Sequence, residues 1–277
     1  MSNGSKVWFI TGTSRGFGRI WAEAALKRGD RVAATARNVE SLTGLREAYG
    51  EAVLPLELDV TDKAAVEAAV DRAHDRFGRL DVVINNAGYG LFGTIEDVTE
   101  EQARAQIETN LFGALWVTKA ALPLLREQGS GHIIQVSSIG GVNAFPTLGL
   151  YHASKWALEG FSQALNAEVR GLGLKVTIVE PTGYTTDWSG SSSVQADHLP
   201  AYDDVREERA KVTNRPGRRG DPEATAEAIL TVVDAADPPL RIFLGVGPLA
   251  MIREEYAQRL ATWEQWNDVS ERAHGSS

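Results

Sequence analysis

Tyr151 and Lys155 stand four residues apart in the run YHASK, so on a helix both side chains leave the same face. A free tyrosine hydroxyl has a pKa of about 10 and is a poor base at neutral pH. A lysine ammonium beside it favours the phenolate. Lowering the pKa by about two units takes roughly 2.7 kcal/mol, and a unit charge at about 4 Å supplies on the order of 1 to 4 kcal/mol between bulk-water and near-surface screening. The pair is energetically able to make Tyr151 a general acid and base.

A second chemical signature lies near the start. The apolar run Val7–Ile10 is followed by three glycines in TG-x-x-x-G-x-G form, Gly12, Gly16 and Gly18. Apolar residues then recur at helical spacing (Phe17, Ile20, Trp21, Ala24, Ala25), Gly29 ends that helix, and Val32–Ala36 supplies a second strand. Strand, glycine turn and helix N-terminus make an anion site, because free N–H groups and the helix dipole converge there and glycine lets a pyrophosphate approach. The reading is a dinucleotide site. NAD-binding units often end the second strand in Asp or Glu, which accepts from the ribose 2′-hydroxyl. Here the strand ends Thr35-Ala36-Arg37-Asn38. Arg37, with Arg15 inside the glycine turn, suits a 2′-phosphate instead, so NADP(H) is expected in preference to NAD(H).

The elements that must position these groups alternate along the chain. Strands are expected at Val53–Asp59, Leu80–Asn85, His132–Ser138, Lys175–Glu180 and Leu240–Leu244. Helices are expected at Asp62–Phe77, near Glu100–Arg126, at Tyr151–Arg170 and at Asp221–Ala235. Thr99 with Gln102 reads as a capping box, and Asp221-Pro222 as an N-cap with proline in the first turn. Such alternation implies an α/β fold: one Rossmann-type, doubly wound, mostly parallel sheet with helices on both faces, forming a single domain over 1–277. Between Gly183 and Gly220 the rhythm breaks into a serine-rich patch, a charged helix-compatible piece and a basic turn. A long insertion after a strand's C-terminal end is expected to act as a substrate lid. Pro248–Ala273 reads as one long helix with Tyr256, Leu260, Trp263 and Trp266 on a stripe.

Composition narrows the classes. With 277 residues there is length for a substantial core, and a net charge of −9 argues against a nucleic-acid groove. The absence of cysteine excludes disulfides, thiolate metal sites and a Cys nucleophile, and the five histidines lack metal-ligand spacing, so no metal is expected. No apolar run is long enough to span a bilayer, and MSNGSK leads straight into the first strand without a signal segment. The expectation is a cytoplasmic protein without a membrane partner.

Taken together, TGTSRGFG at Thr11–Gly18, Asp59-Val60 closing a strand, NNAG at Asn85–Gly88, Asn110, Ser137-Ser138 and YHASK resemble the short-chain dehydrogenase/reductase family from about Val7 to Asp187. Carried over position by position, the resemblance implies that Tyr151 exchanges a proton with the substrate oxygen while hydride moves to or from the nicotinamide. It implies that Ser138 hydrogen-bonds the substrate oxygen, that Lys155 holds the nicotinamide ribose and lowers the Tyr151 pKa, and that Asn110 holds a water linking Lys155 to solvent. The cofactor would be held by Gly12, Ser14, Arg15, Gly16, Phe17 and Gly18, by Arg37, Asp59 and Val60, and by Asn86, Ala87 and Gly88. Tyr151 and Lys155 would also touch it, as would Pro181, Gly183, Tyr184 and Thr186. One departure stands out: Thr182 occupies the position where the family usually has glycine after the strand-ending proline.

An apolar, aromatic wall of Tyr89, Leu91, Phe92, Phe145, Leu148, Leu150, Tyr184 and Trp188 suits a hydrophobic ketone, aldehyde or alcohol. Reduction of a 3-oxoacyl thioester is an alternative that needs a basic docking patch near the site entrance, which this acidic chain does not obviously provide; the basic run Arg215–Arg219 within the insertion reads as a solvated turn. A regulator that senses NADP without turnover would need neither Tyr151 nor Lys155. An epimerase or dehydratase relative would carry different glycine spacing. The resemblance further implies a homodimer or homotetramer.

Overall fold

A computed structural model describes residues 4–190, 192–213 and 219–275. In chain order the elements are β1 (Val7–Ile10), α1 (Gly16–Lys27), β2 (Arg31–Ala36), α2 (Thr43–Tyr49), β3 (Val53–Glu57), α3 (Lys63–Phe77), β4 (Val82–Asn85) and β5 (Leu91–Phe92). They continue as α4 (Glu100–Ile107), α5 (Gly113–Gln128), β6 (Gly131–Val136), α6 (Gly149–Val169), β7 (Leu174–Pro181) and β8 (Val194–Gln195). The last are α7 (Asp203–Thr213), α8 (Thr225–Asp234), β9 (Arg241–Leu244), α9 (Pro248–Gln265) and α10 (Asn267–His274).

The central sheet has seven strands in the order β3-β2-β1-β4-β6-β7-β9, and every neighbouring pair is parallel. Side chains of β1 alternate between two apolar layers: Val7 and Phe9 join the one built with α3 and α5, Trp8 and Ile10 the one built with α1 and α8. That is why the opening run is apolar without interruption, since a strand covered on both faces has no polar side. The strand order runs outward in opposite directions from β1 and β4. Their C-terminal ends therefore flank the crevice where open α/β sheets bind ligands.

Caps fix several boundaries. Asp62 accepts from the Ala65 N–H at 3.0 Å, and Thr99 with Gln102 forms the expected reciprocal box. Asp221 accepts from the Glu223 N–H, but the chain first makes one 3₁₀ turn, Pro222–Ala224, before α8 begins. The long helix expected near Glu100–Arg126 is divided by a π turn, Glu108–Phe112, with Asn110 buried inside it. The insertion holds structure of its own. β8 pairs in parallel with β5, Leu91 opposite Val194, and α7 follows. Of the basic run Arg215–Arg219, residues 215–218 lie outside the described residues.

The C-terminal segment departs from expectation. It is two helices that part at Trp266, and the aromatic stripe faces outward, with Tyr256, Leu260, Trp263 and Trp266 at 41%, 53%, 63% and 60% exposure. The half-buried face of α9 carries Met251, Ile252, Glu255 and Arg259 instead. Arg259 holds that face down, its guanidinium 5.2 Å from the ring centroids of both Trp156 and Tyr256. Among the described residues no helix is long and apolar enough to cross a membrane.

Candidate active site

The glycine turn is built by close contact and by backbone sign. Gly12 and Gly16 have φ of +70° and +60°, the left-handed region that favours glycine. Gly18 is needed for a different reason: a Cβ there would stand 2.3 Å from the Gly12 carbonyl oxygen and 2.5 Å from Asn86 Nδ2. Asn86 Nδ2 donates to the carbonyls of Thr11 (2.8 Å) and Gly12 (3.0 Å), which ties the turn to the loop after β4. Thr11 Oγ1 accepts from the N–H groups of Asn86 and Ala87, both at 2.9 Å. Thr11 escaped the sequence reading, although its place at the end of β1 was a usable signal. The first turn of α1 has no side-chain cap and no carboxylate. Its N–H groups and dipole thus face the crevice, a cradle whose shape and charge fit a pyrophosphate.

From this turn a cleft of about 1840 Å³ runs to Tyr151. Gly12, Ser14, Arg15, Gly16, Phe17, Arg37, Asp59 and Val60 line its dinucleotide end. Asn86, Ala87 and Gly88 line the middle, Ser138, Tyr151 and Lys155 the far end, and Pro181, Gly183, Tyr184 and Thr186 close one side. Gly18 and Asn110 sit just behind the wall. Arg37 stands at the exposed tip of β2, with no carboxylate beside it in the strand. Arg15 Nη1 lies 3.6 Å from Asp187 Oδ2, a residue of the insertion that the sequence reading did not single out. Thr182, at the glycine-type position, fits because its N–H donates to Leu244 O at 2.9 Å and its hydroxyl packs against Gly245.

At the other end the four resemblance-derived residues come together. The Ser138 hydroxyl lies beside Tyr151, and Ser138 Oγ accepts from the Gly140 N–H at 3.0 Å. Lys155 Nζ donates to Val136 O at 2.8 Å and lies 5.8 Å from the Tyr151 ring centroid. Asn110 Nδ2 donates to Tyr89 O (3.0 Å) and Ser154 Oγ (3.1 Å), while its Oδ1 accepts from the Tyr89 N–H at 3.1 Å. One lone pair of Oδ1 remains. The bare Gly88 Cα adjoins both groups, since a Cβ there would stand 3.0 Å from Asn110 Oδ1 and 3.7 Å from Lys155 Nζ.

The electrostatics differ from the sequence expectation. Burial pushes the Tyr151 hydroxyl up to about 12, with the Ser138 hydrogen bond acting in the opposite sense. Burial also brings the Lys155 ammonium down to about 8, against the pull of Glu159. The lysine charge that was expected to lower the tyrosine pKa is turned toward Val136 O, and desolvation is the larger effect.

Six of the eight expected wall residues line the cleft: Tyr89, Phe92, Phe145, Leu148, Tyr184 and Trp188. Leu91 does not, because it alternates with Phe92 in β5 and is 1% exposed. Leu150 sits in the first turn of α6, outside the lining. Trp188 packs edge-on to Tyr151, with centroids 4.9 Å apart, and tilts against Phe92 at 5.3 Å. Thr147, another lining residue, holds a φ of +66°, a strained conformation for a β-branched side chain. The insertion is tied down by Asp97, a residue the sequence reading missed. Burial would raise this carboxyl, but donors from Thr94, Arg206 and Leu199 hold it well below the usual carboxylate range. The Arg206 contact is 2.5 Å and the Leu199 N–H contact 3.1 Å.

Comparison with known proteins agrees with this geometry. A family model described as short chain dehydrogenase matches residues 6–197. A relative from Botryotinia fuckeliana, named oxidoreductase BOA17, is 45% identical over 274 residues, covering 96% of this chain and 98% of the relative. The crystal structure of a short-chain dehydrogenase from Streptomyces avermitilis superposes with a TM-score of 0.91 at 37% identity, covering 99% of this chain and 100% of that one. A short chain dehydrogenase from Burkholderia cenocepacia in complex with NADP gives a TM-score of 0.75 at 27% identity, with 94% and 97% coverage.

Proposed function

The chain belongs to the short-chain dehydrogenase family and is an oxidoreductase of CH–OH and C=O groups; on that premise we propose an NADP(H)-dependent carbonyl reductase or alcohol dehydrogenase. The observation that carries the reading is the convergence of Ser138, Tyr151 and Lys155 at one end of a cleft whose other end is the glycine turn. Bound there, NADP(H) supplies or accepts the hydride. The N-terminus of α1 and the glycine turn hold the pyrophosphate, Asp59 and Val60 flank the adenine, and Arg37 with Arg15 recognises the 2′-phosphate. Lys155 holds the nicotinamide ribose, and Pro181, Gly183, Tyr184 and Thr186 line the nicotinamide side.

In the reducing direction Ser138 orients the substrate oxygen and Tyr151 gives it a proton. A phenol kept neutral by burial is the correct protonation state for that donor, and the alkoxide forming on the substrate is the stronger base. Asn110 Oδ1, through its remaining lone pair, is the place for a water that reconnects Lys155 to solvent. Tyr89, Phe92, Phe145 and Trp188 favour a hydrophobic ketone or aldehyde over a charged one. The described part of the 183–220 insertion closes over that substrate as a lid, hinged on the Asp97 contacts. The protein is further proposed to work in the cytoplasm as a homodimer or homotetramer of single-domain chains.

The test is NADPH oxidation with a panel of hydrophobic ketones and aldehydes. Turnover supports the reading, whereas tight NADPH binding with no turnover in either direction assigns an NADP sensor instead. Cofactor choice has its own prediction. Arg37→Ala is expected to weaken NADPH by about 10- to 100-fold, the range of a charge-assisted hydrogen bond, and to leave NADH nearly unchanged. Fluorescence titration of both cofactors checks it, and equal losses for the two would remove the 2′-phosphate role.

A further inference from the structure

One helical turn beyond Lys155, the carboxyl of Glu159 faces that of Glu180 near the end of β7. The two residues are 5% and 1% exposed. A single cation serves both. Arg241 of β9 places Nε 2.9 Å from Glu159 Oε2 and 3.5 Å from Glu180 Oε1, while its Nη2 donates to Gln163 at 2.9 Å. The Oε1 atoms of both glutamates, together with Ser137 Oγ, are buried and meet no hydrogen-bond partner among the described residues. Gly141 lets these groups close up, since a Cβ there would stand 2.4 Å from Ser137 Oγ and 3.1 Å from Glu159 Oε1.

Charge counting decides what such a cluster holds. Two buried carboxylates on one guanidinium, itself 35% exposed, leave a negative charge uncompensated between them, and like charges packed on one cation resist ionising together. One proton between the two carboxyls removes the excess charge and gives the orphaned oxygens a partner. We propose that Glu159 and Glu180 hold one shared proton beneath Arg241, and that the negative charge left at Glu159 acts on Lys155, one helical turn away, as well as on Arg241 and favours the charged lysine. The proposal rests on the reading of Lys155 as part of the active site. Other polar groups face the pair from each packed element: Lys155 and Gln163 on α6, Ser137 after β6, Arg241 on β9. Tyr256 of α9 reaches it across a cavity of about 200 Å³ that Glu180 and Arg241 also line. The titration tendencies agree. Burial first, and Glu159 second, push Glu180 up to about 8, while Glu159 raises Lys155 against its burial.

Glu180→Gln supplies the test, because a neutral amide reproduces the protonated carboxyl and can donate the same hydrogen bond. The folded chain keeps a proton on Glu180 that the unfolded chain loses above about 4.5, so stability falls with rising pH from there to about 8. Thermal unfolding of the substrate-free protein from about pH 5 to pH 9 should therefore show E180Q gaining on its parent as pH rises and levelling off above about 8. Parallel curves would overturn the shared proton. Glu159→Gln moves the surviving charge one carboxyl away from Lys155, and the alkaline limb of kcat/KM should shift down by roughly half a unit to one unit. A loss of kcat/KM at every pH with an unmoved limb would reduce Glu159 to a structural role. If the parent protein reduces no carbonyl at all, the Lys155 half of the proposal falls with the oxidoreductase reading, while the unfolding curves still decide the shared proton.

Discussion

Tyr151→Phe is expected to lower the turnover of a hydrophobic ketone by about 10² to 10⁴-fold, the usual worth of a positioned general acid. The variant removes one hydroxyl and leaves the ring, so the edge-on contact with Trp188 and the packing of α6 persist. Ser138 Oγ still accepts from Gly140 N–H, and Lys155 still donates to Val136 O, so neither neighbour collapses into the space. Cofactor affinity should accordingly stay within about twofold of the parent's, because the lost atom serves the proton and not the glycine turn. The check is steady-state kinetics beside a cofactor titration. Activity within tenfold of the parent would show that another group, or water, delivers the proton.

The second large effect is expected at Gly18. An alanine Cβ 2.3 Å from the Gly12 oxygen and 2.5 Å from Asn86 Nδ2 cannot be housed by rotating a flexible side chain, because the nearer obstacle is backbone. The turn must open, and the Asn86 bonds to Thr11 O and Gly12 O must stretch with it. Overpacking of this kind costs about 1–3 kcal/mol in stability, and the displaced N–H groups should weaken NADPH by roughly a hundredfold or more, the loss of two or so good hydrogen bonds. Gly16→Ala is the internal control. Its φ is +60° but nothing lies within 4 Å of the added carbon, so it carries only the left-handed strain of about 1–2 kcal/mol. Thermal unfolding and cofactor titration separate the two variants; equal binding losses would mean that the turn senses strain rather than contact.

These expectations divide according to what a sequence can express. The parallel sheet was legible because β1 and β4 are apolar on both faces, and the glycine turn because three glycines occupy a strand-to-helix junction. The pairing of Tyr151 with Lys155 followed from helical spacing alone. The protonation of that pair did not, since it depends on burial under Trp188 and on the Val136 carbonyl that takes up the lysine. The π turn around Asn110 has no periodic signature, so the segment read as one uninterrupted helix. β5 and β8 are two residues each, too short to show alternation, and Asp97 gains its role only from chain a hundred positions away. At the C-terminus periodicity identified a true stripe but not which way it faces, because Arg259 covers Trp156 and Tyr256 as well as an apolar contact would.

The most direct test of the central claim follows the hydride itself. The protein is incubated with a reducible hydrophobic ketone and NADPH carrying deuterium at one face of nicotinamide C4, then with the opposite isotopomer, and the alcohol is weighed by mass spectrometry. The account predicts one deuterium on the carbinol carbon from one isotopomer and none from the other. NADPH oxidation that leaves the alcohol unlabelled by both, or saturable NADPH binding without any alcohol formed, would contradict it.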